Sequence, residues 1–259
     1  MDISIIRTIM MPLLGTSLGA AGVMFLHDRM DWRVEMGMNG FAAGVMVAAS
    51  IWSLLIPSID QSRSLGQWAF VPAVVGFWIG TFFMLFIDRI VPHIHGEQTE
   101  GMQGKHLNHS TMLMLAVTIH NIPEGMALGV VVAGWLSGNV TISEGNTVAL
   151  ALGLAIQNFP EGAIVSLPMH AAGMPRKKAL GYGILSGVVE PVASVATIFL
   201  ASSMIPLLPY FLSFAAGVMI YVVVEELIPG TINDVHSNIG VLAFAVGFTL
   251  MMVLEMTLG

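Results

Sequence analysis

The chain has 259 residues, of which 56% are hydrophobic and only 10% are charged, and its mean hydropathy is +0.83. A soluble domain carries about 25% charged residues, so a soluble protein of this composition could not cover its own surface. The composition therefore predicts an integral membrane protein. The net charge of −7 comes without any basic tract, which argues against nucleic acid as a partner. Because the chain has no cysteine, disulfides and thiolate metal ligands are excluded.

The apolar runs are long enough for helices that cross a bilayer, which needs roughly 20 apolar residues per helix. They predict an all-α integral membrane protein, an eight-transmembrane-helix bundle, with residues 1–259 forming a single transmembrane domain. At the N-terminus Asp2 precedes Arg7, and no clear cleavage site follows the first apolar run, which indicates a helix rather than a signal peptide. The approximate helices are 4–25, 36–58, 68–91, 111–134, 147–169, 179–201, 207–229 and 238–258.

Loop charge predicts the orientation of this bundle. With both termini outside, the inner loops hold seven basic residues, which are Arg29, Arg33, Arg89, Lys105, Arg176, Lys177 and Lys178. The outer segments hold two, Arg7 and Arg63. An excess of Lys and Arg marks the cytoplasmic side. We therefore predict a multi-pass protein of the cell (inner) membrane with both termini periplasmic or extracellular.

The longest polar loop, residues 92–110, lies between the third and fourth predicted spans and faces the cytoplasm in this topology. It carries four histidines, which are His93, His95, His106 and His109. A His-rich tract can collect metal weakly. A solvated, Gly-rich linker is the alternative, since the sequence shows no fixed coordination geometry. Both interpretations stay open from the loop alone.

Two polar motifs interrupt the apolar spans at matching positions. HNIPEG begins at His120 in the fourth span, and QNFPEG begins at Gln157 in the fifth. His120 and Glu124 are four residues apart and share one helix face. They lie about ten residues, or ~15 Å, into the span, near the bilayer midplane. Each motif also contains a proline, which leaves the carbonyl four residues earlier without its donor and available to a cation.

A third carboxylate, Glu190, lies at a similar depth in the sixth span, and no Lys or Arg lies there to neutralise the three. A charged side chain at the bilayer centre costs at least ~2.5 kcal/mol. Carboxylates without basic partners hold either protons or cations. A protonated, hydrogen-bonded core that only fixes helix register is the alternative. We favour a cation because six or more polar groups at one depth are costly to keep for packing alone.

The ligand types indicate which cation. Imidazole with carboxylates suits transition metals better than sodium or potassium, whereas carboxylates and carbonyls alone would favour magnesium or calcium. His120 therefore favours a divalent transition metal as substrate, zinc first, with cadmium, iron, manganese and cobalt as further candidates and no organic cofactor. Met46 in the second span could add a sulfur ligand, although core packing explains one methionine among twenty more simply.

Other acidic residues mark the two ends of a route through the bundle. Asp60 and Glu255 lie at the outer ends of spans two and eight, as entrance candidates. Glu225 and Glu226 lie near the inner end of span seven, on the side of the histidine loop. Together they outline an outer mouth, a midplane site and an inner exit. Taken singly, each is explained more simply as an interfacial side chain that reaches into water.

The paired motifs HNxPEG and QNxPEG on successive membrane helices resemble the ZIP (Zrt/Irt-like) family of divalent metal transporters, most closely its bacterial members. The eight spans, the outward termini and the His-bearing loop match as well, so the resemblance covers essentially the whole chain. It implies a two-metal centre between helices four, five and six. The main transport site then comprises His120, Glu124, Gln157 and Glu161, with Met46 added from helix two. The neighbouring site comprises Asn121, Asn158 and Glu190, with Glu124 and Glu161 bridging the two.

One departure lies at Asn158, where some bacterial members carry aspartate. A neutral amide oxygen lowers the charge of the second site, so the resemblance leaves the occupancy of that site open. The resemblance also implies inward transport, in several accounts by one helix bundle sliding against another. In this scheme Glu225 and Glu226 hold metal on its way out, and Asp60 and Glu255 lie near the entrance.

The leading hypothesis is a transporter, not an enzyme, that moves divalent metal into the cytoplasm. Its expected partners are the lipid bilayer and metal ions, and a homodimer is one assembly that the sequence allows. An intramembrane metalloenzyme is one alternative, but the H-E-x-x-H motif is missing. His also precedes Glu at i, i+4 here, whereas the di-iron carboxylate pattern uses i, i+3. A proton or polar-solute channel without metal is the other alternative.

Overall fold

The computed structural model describes residues 2–25, 31–90, 93–95, 98–100, 109–138, 141–231 and 237–259. Its helices are α1 (Ile3–Ala21), α2 (Trp32–Ala49), α3 (Ile56–Gln61), α4 (Phe70–Ile90), α5 (His109–Leu136), α6 (Glu144–Ala171), α7 (Arg176–Ser203), α8 (Leu208–Val222) and α9 (Ile239–Leu258). Two π-helical segments, Ser50–Leu55 and Val223–Leu227, continue α2 into α3 and extend α8. Short 3-10 turns lie at Gly22–Met24, Arg63–Trp68, Ile205–Leu207 and Pro229–Thr231.

Within the described residues, seven helical segments are long and apolar enough to cross a membrane. They are Ile3–Met24, Trp32–Gln61, Phe70–Ile90, Glu144–Ala171, Arg176–Ala201, Ile205–Thr231 and Ile239–Leu258. The predicted helical membrane bundle is confirmed to this extent. The predicted span 111–134 corresponds to α5, which is not among the seven, so the eighth crossing stays a prediction.

Part of the loop 92–110 is a β-hairpin, which the sequence analysis did not predict. Strands β1 (His93–His95) and β2 (Gln98–Glu100) pair antiparallel, with His95 opposite Gln98. His93 and His95 thus belong to a strand rather than to an irregular linker. His109 begins α5, and His106 lies outside the described residues.

The long helices pack as four close pairs, which are α1 with α6, α5 with α7, α2 with α9, and α4 with α8. Helix α1 also packs against α7, and α5 packs against α6. We call α1, α5, α6 and α7 the motif bundle because they include the helices that carry both motifs and Glu190. Helices α2, α3, α4, α8 and α9 form the support bundle. It meets the motif bundle where α8 packs against α5 and where α2 and α9 pack against α6.

Glycine allows the helices of the motif bundle to touch backbone to backbone. A Cβ atom added to Gly15 would lie 1.9 Å from the carbonyl oxygen of Ala155, and one on Gly125 would lie 2.3 Å from that of Glu190. No side chain fits at such distances, so these glycines set how closely the helices approach. Gly125 belongs to HNIPEG itself, so the motif also fixes the separation of the two helices that carry Glu124 and Glu190.

Candidate metal centre

Both motifs and Glu190 lie at the middle of three 28-residue helices, α5, α6 and α7. At 1.5 Å per residue each of these helices is about 42 Å long, longer than the ~30 Å hydrocarbon core. The Asn158 amide contacts the Glu190 carboxylate, which shows that α6 and α7 bring their central residues to one level. Gly125 meets the backbone of Glu190 at the same level. The sequence prediction of a shared depth therefore agrees with the packing of the three helices.

These polar side chains are almost completely removed from solvent. Asn121, Glu124, Gln157 and Asn158 are 0% exposed, Glu190 is 1% exposed and His120 is 8% exposed. Glu161 is half-buried. Among the described residues, no Lys or Arg forms an ion pair with any of these carboxylates. Buried charge of this kind needs a compensating partner.

Most of the buried polar atoms without a hydrogen-bond partner belong to this cluster. Across the described part of the chain seven such side-chain atoms occur, and five are acceptor oxygens of the two motifs. We call these five the open set; they are Asn121 Oδ1, Glu124 Oε1, Glu124 Oε2, Gln157 Oε1 and Glu161 Oε2. Native structures pair nearly all buried polar groups. A concentration of acceptors without donors is therefore a place where a cation can be stabilised.

Electrostatic repulsion acts within this cluster. Glu124 lies within electrostatic range of Glu161 and Glu190. The amides of Gln157 and Asn158 lie near the Glu124 carboxylate, yet neither makes a hydrogen bond of acceptable length and angle to it. Glu124 is thus a fully buried acid that neighbouring neutral donors do not satisfy.

Glu190 has a different environment, because a neutral donor lies at hydrogen-bond distance from each of its oxygens. Asn158 Nδ2 donates to Glu190 Oε2 at 2.7 Å, and the single hydroxyl proton of Thr16 is shared between Glu190 Oε1 at 3.3 Å and the Pro12 carbonyl oxygen at 3.2 Å. The Asn158 carbonyl oxygen in turn accepts from Gln157 Nε2 at 3.1 Å. We call Thr16, Asn158 and Glu190 the closed set.

His120 contacts a glutamate from the support bundle. Its Nδ1 lies 2.8 Å from Glu226 Oε2, and Glu226 lies in the π-helical segment Val223–Leu227. A histidine that ligates metal typically donates its other ring N–H to a carboxylate, which fixes the tautomer and leaves the second nitrogen for the ion. From its position in the chain Glu226 is predicted at an inner exit, and the structure brings it into contact with His120.

The two entrance candidates differ sharply. Glu255 is 5% exposed and accepts hydrogen bonds from Ser53 Oγ and from Asn146 Nδ2. Its interpretation as an interfacial side chain reaching into water is therefore wrong. Asp60 does fit that interpretation, because it pairs at 2.8 Å with Arg63, whose side chain is 77% exposed. Such surface pairs contribute little to stability.

The remaining candidates are not drawn into the cluster by any contact described above. Met46 is 1% exposed and packs within the main hydrophobic core, so its role as a sulfur ligand stays a prediction. Glu225 lies next to Glu226 on the same π-helical segment and is half-buried. The side chains of the loop histidines lie outside the described residues, so metal binding by the loop also stays a prediction.

The centre is not a preformed cage. Among the described residues, no three side chains of His, Asp and Glu come close enough together to hold an ion by themselves. An ion here needs the amide oxygens of Asn121 or Gln157, or a rotation of side chains, to complete its coordination. Structural zinc sites are closed and tetrahedral. The open arrangement suits an ion that enters and leaves.

Three residues at these sites escaped the sequence analysis, namely Thr16, Ser53 and Asn146. Thr16 lies between Gly15 and Gly19, and a polar residue between close-packing glycines in an apolar span is a signal that could have found it. Asn146 forms a capping box with Ser143 at the start of α6. The capping role is sufficient to explain an asparagine at this position, so the sequence gives no sign of its second contact, which is with Glu255.

The chain is similar in sequence to known proteins of one family. The pattern of the family described as ZIP Zinc transporter matches residues 105–255. The chain is 33% identical to Zinc transporter ZIP11 of Xenopus tropicalis, over 98% of each protein. It is 34% identical to Zinc transporter ZIPB of Bordetella bronchiseptica, over 94% of this chain and 78% of that one. Zinc transporter ZupT of Chlorobaculum parvum is 32% identical over 84% of each.

The family pattern includes both motifs and Glu190, and the relatives align along nearly the whole chain. The chain belongs to the ZIP family of zinc transporters and is a multi-pass membrane transporter of divalent metal rather than an enzyme.

Proposed function

We propose that this protein carries divalent transition-metal cations, zinc first, into the cytoplasm through the mid-membrane centre on α5, α6 and α7. The observation that supports this most directly is the open set of five buried acceptor oxygens without donors. Cadmium, iron, manganese and cobalt are further proposed substrates, because the same mixed nitrogen and oxygen ligands accept them.

The transport site is proposed to use His120, Glu124, Gln157 and Glu161. With His120 Nδ1 on Glu226, the Nε2 atom is the nitrogen that faces an ion. The two carboxylates supply charge that neutralises a divalent cation, and the Gln157 carbonyl oxygen supplies a neutral ligand. Asn121 Oδ1 is a further possible ligand. The Asn121 amide nitrogen donates to the carbonyl oxygen of Ser186 at 3.0 Å, which leaves the amide oxygen available to the ion.

The route is proposed to pass from the buried Glu255 region to the centre and on to Glu226 and Glu225. Ser53, Asn146 and Glu255 join the support bundle to the start of α6 at one end. At the centre the contact between His120 and Glu226 joins the two bundles again. The separation into a motif bundle and a support bundle supports relative motion between them as the means of moving the ion.

We further propose eight crossings, with α5 as the eighth helix, both termini outside and residues 1–259 as a single domain. The chain has no cysteine, so single cysteines introduced at Gly259 and at Gly104 report sidedness without background. An impermeant maleimide added to intact cells should label Gly259→Cys and spare Gly104→Cys. The reverse pattern would refute this orientation. A homodimer stays a prediction.

Flux measurements on the full chain in liposomes test the transport function. A metal-sensitive dye trapped inside should report zinc entry with the wild-type protein and none with Glu161→Ala, which leaves the ligand set short of one charge. Protease protection of a terminal tag verifies insertion for both proteins. Equal dye signals from wild-type protein, Glu161→Ala and empty liposomes would overturn the proposal.

A further inference from the structure

The three glutamates of the centre share one residue type and one level of the membrane, but they differ in what surrounds them. Glu124 and Glu161 keep acceptor oxygens without donors, whereas Asn158 donates to one oxygen of Glu190 and Thr16 shares its hydroxyl proton with the other. We infer that the centre holds one divalent ion, bound by the open set, and that Thr16 and Asn158 take the place of a second ion at Glu190. This rests on the proposed function and gives the stoichiometry of its site.

The Asn158 amide directs its nitrogen toward Glu190. Asn158 Nδ2 lies 2.7 Å from Glu190 Oε2 and donates to it, and an ionised carboxylate can only accept hydrogen bonds. The Asn158 oxygen then faces the other way and accepts from Gln157 Nε2 at 3.1 Å. Gln157 Oε1 is then the atom of the Gln157 amide that has no hydrogen-bond partner. The two side-chain amides thus form a hydrogen-bonded chain that runs from Gln157 through Asn158 to Glu190.

A second ion at Glu190 would disrupt this chain of hydrogen bonds. To offer oxygen to that ion, the Asn158 amide would have to turn over, and its nitrogen would then face the nitrogen of Gln157. Two donors cannot satisfy each other, so Gln157 would turn as well and present nitrogen instead of oxygen to the first ion. Binding the second ion would therefore remove a ligand from the first.

Thr16 closes the other side of Glu190 and is itself tightly held. It is 0% exposed, and its hydroxyl also lies 3.2 Å from the carbonyl oxygen of Pro12. A Cβ on Gly162 would lie 2.0 Å from the Thr16 carbonyl oxygen, and one on Gly187 would lie 2.9 Å from its hydroxyl oxygen. Because α6 and α7 pack directly onto it, Thr16 cannot turn away from Glu190. Thr16 is a positioning residue that acts through that carboxylate.

The test counts ions and looks for a metal–metal distance in the full chain. Because the loop histidines could add ions, His93, His95, His106 and His109 are replaced by alanine in every sample. Purified protein is loaded with zinc, counted by elemental analysis, and measured by X-ray absorption at the zinc edge. A two-metal centre gives a metal–metal distance of about 3.5–4 Å, which ions bound elsewhere in the chain do not produce.

In the protein that keeps Asn158 we expect no metal–metal distance in the X-ray absorption data. Asn158→Asp places a second acceptor beside Glu190 and removes the donor, so it should gain the metal–metal distance and one further ion per chain. A metal–metal distance in the protein with Asn158 would overturn the inference on its own, whether or not Asn158→Asp folds. An Asn158→Asp protein that elutes normally but gains no ion would overturn it as well.

Thr16 is tested in the Asn158→Asp background with a matched pair. Thr16→Val removes the competing hydroxyl and should raise affinity for the second ion several-fold over Thr16→Ser, which keeps it. A purely structural role would instead lower metal binding in Thr16→Val, and that result would refute the assignment of Thr16. If the protein binds no zinc and shows no flux in liposomes, the proposed function itself fails, which is distinct from binding two ions.

Discussion

The open set and the closed set place the same kind of acid in two different electrostatic situations. Glu124 is 0% exposed and neither of its oxygens has a donor. Glu190 is 1% exposed, and Thr16 and Asn158 donate to its two oxygens. Burial is the same in both cases, so burial alone does not mark a metal ligand. In our inference, the supply of neutral donors separates the acid that binds the cation from the acid that does not.

The largest effect on zinc flux is expected when one glutamate charge is removed, first from the open set and then from the closed set. Glu124→Gln keeps the side-chain shape but leaves the open set with one charge fewer, so zinc flux into liposomes should fall to background. Glu190→Gln should reduce flux far less, by about tenfold at most, because the hydroxyl of Thr16 can accept from the new amide nitrogen.

Both variants are compared at equal amounts of inserted protein, and zinc affinity is measured alongside flux. Equal losses in the two variants would show that Glu190 ligates the transported ion directly. The distinction between the open and closed sets would then fail, although the proposed transport function would stand.

A second prediction concerns the carboxylate that orients His120. Glu226→Gln should weaken zinc binding by roughly 10–100-fold, the usual cost of losing an outer partner of a metal-ligating histidine. Calorimetry on purified protein measures this. In a His120→Gln background the same change at Glu226 should have little further effect, because the two residues act as one unit. Fully additive losses would show that Glu226 acts independently of His120.

Residue type and spacing predicted a helical membrane bundle and a group of polar side chains at one level of three helices. His120 and Glu124 share a helix face, and HNIPEG and QNFPEG repeat one pattern. The roles of these residues as metal ligands stay predictions. The buried level shared by Asn158 and Glu190 agrees with that reasoning.

Other features depend on which helix faces which, and spacing does not contain that information. Thr16 is more than 170 residues from Glu190 in the chain, and Glu226 is more than 100 from His120. A π-helical segment at Val223–Leu227 also changes the face on which Glu226 emerges. For the same reason Glu255, assigned to water by its position near a helix end, proved to be buried against Ser53.

A smaller effect is expected from changing how closely the two sets approach each other. Gly125 packs onto the carbonyl oxygen of Glu190, and a Cβ there would lie 2.3 Å from that atom. Gly125→Ala should push α5 from α7 and destabilise the protein by about 1–3 kcal/mol, the usual cost of overpacking. A lower midpoint of thermal unfolding in detergent would record this. Gly181→Ala is the matched control, because nothing lies within 4 Å of its added Cβ.

The smallest effect is expected outside both sets, at the histidines of the loop 92–110. His109 precedes His120 by eleven residues on α5, or about 16 Å along the helix. It cannot share an ion with His120. Replacing His93, His95, His106 and His109 by alanine should therefore change the zinc concentration for half-maximal flux by no more than a few-fold and leave the maximal rate nearly intact. Liposome flux over a zinc titration measures both quantities, and abolished flux at saturating zinc would place an obligatory ion site in the loop.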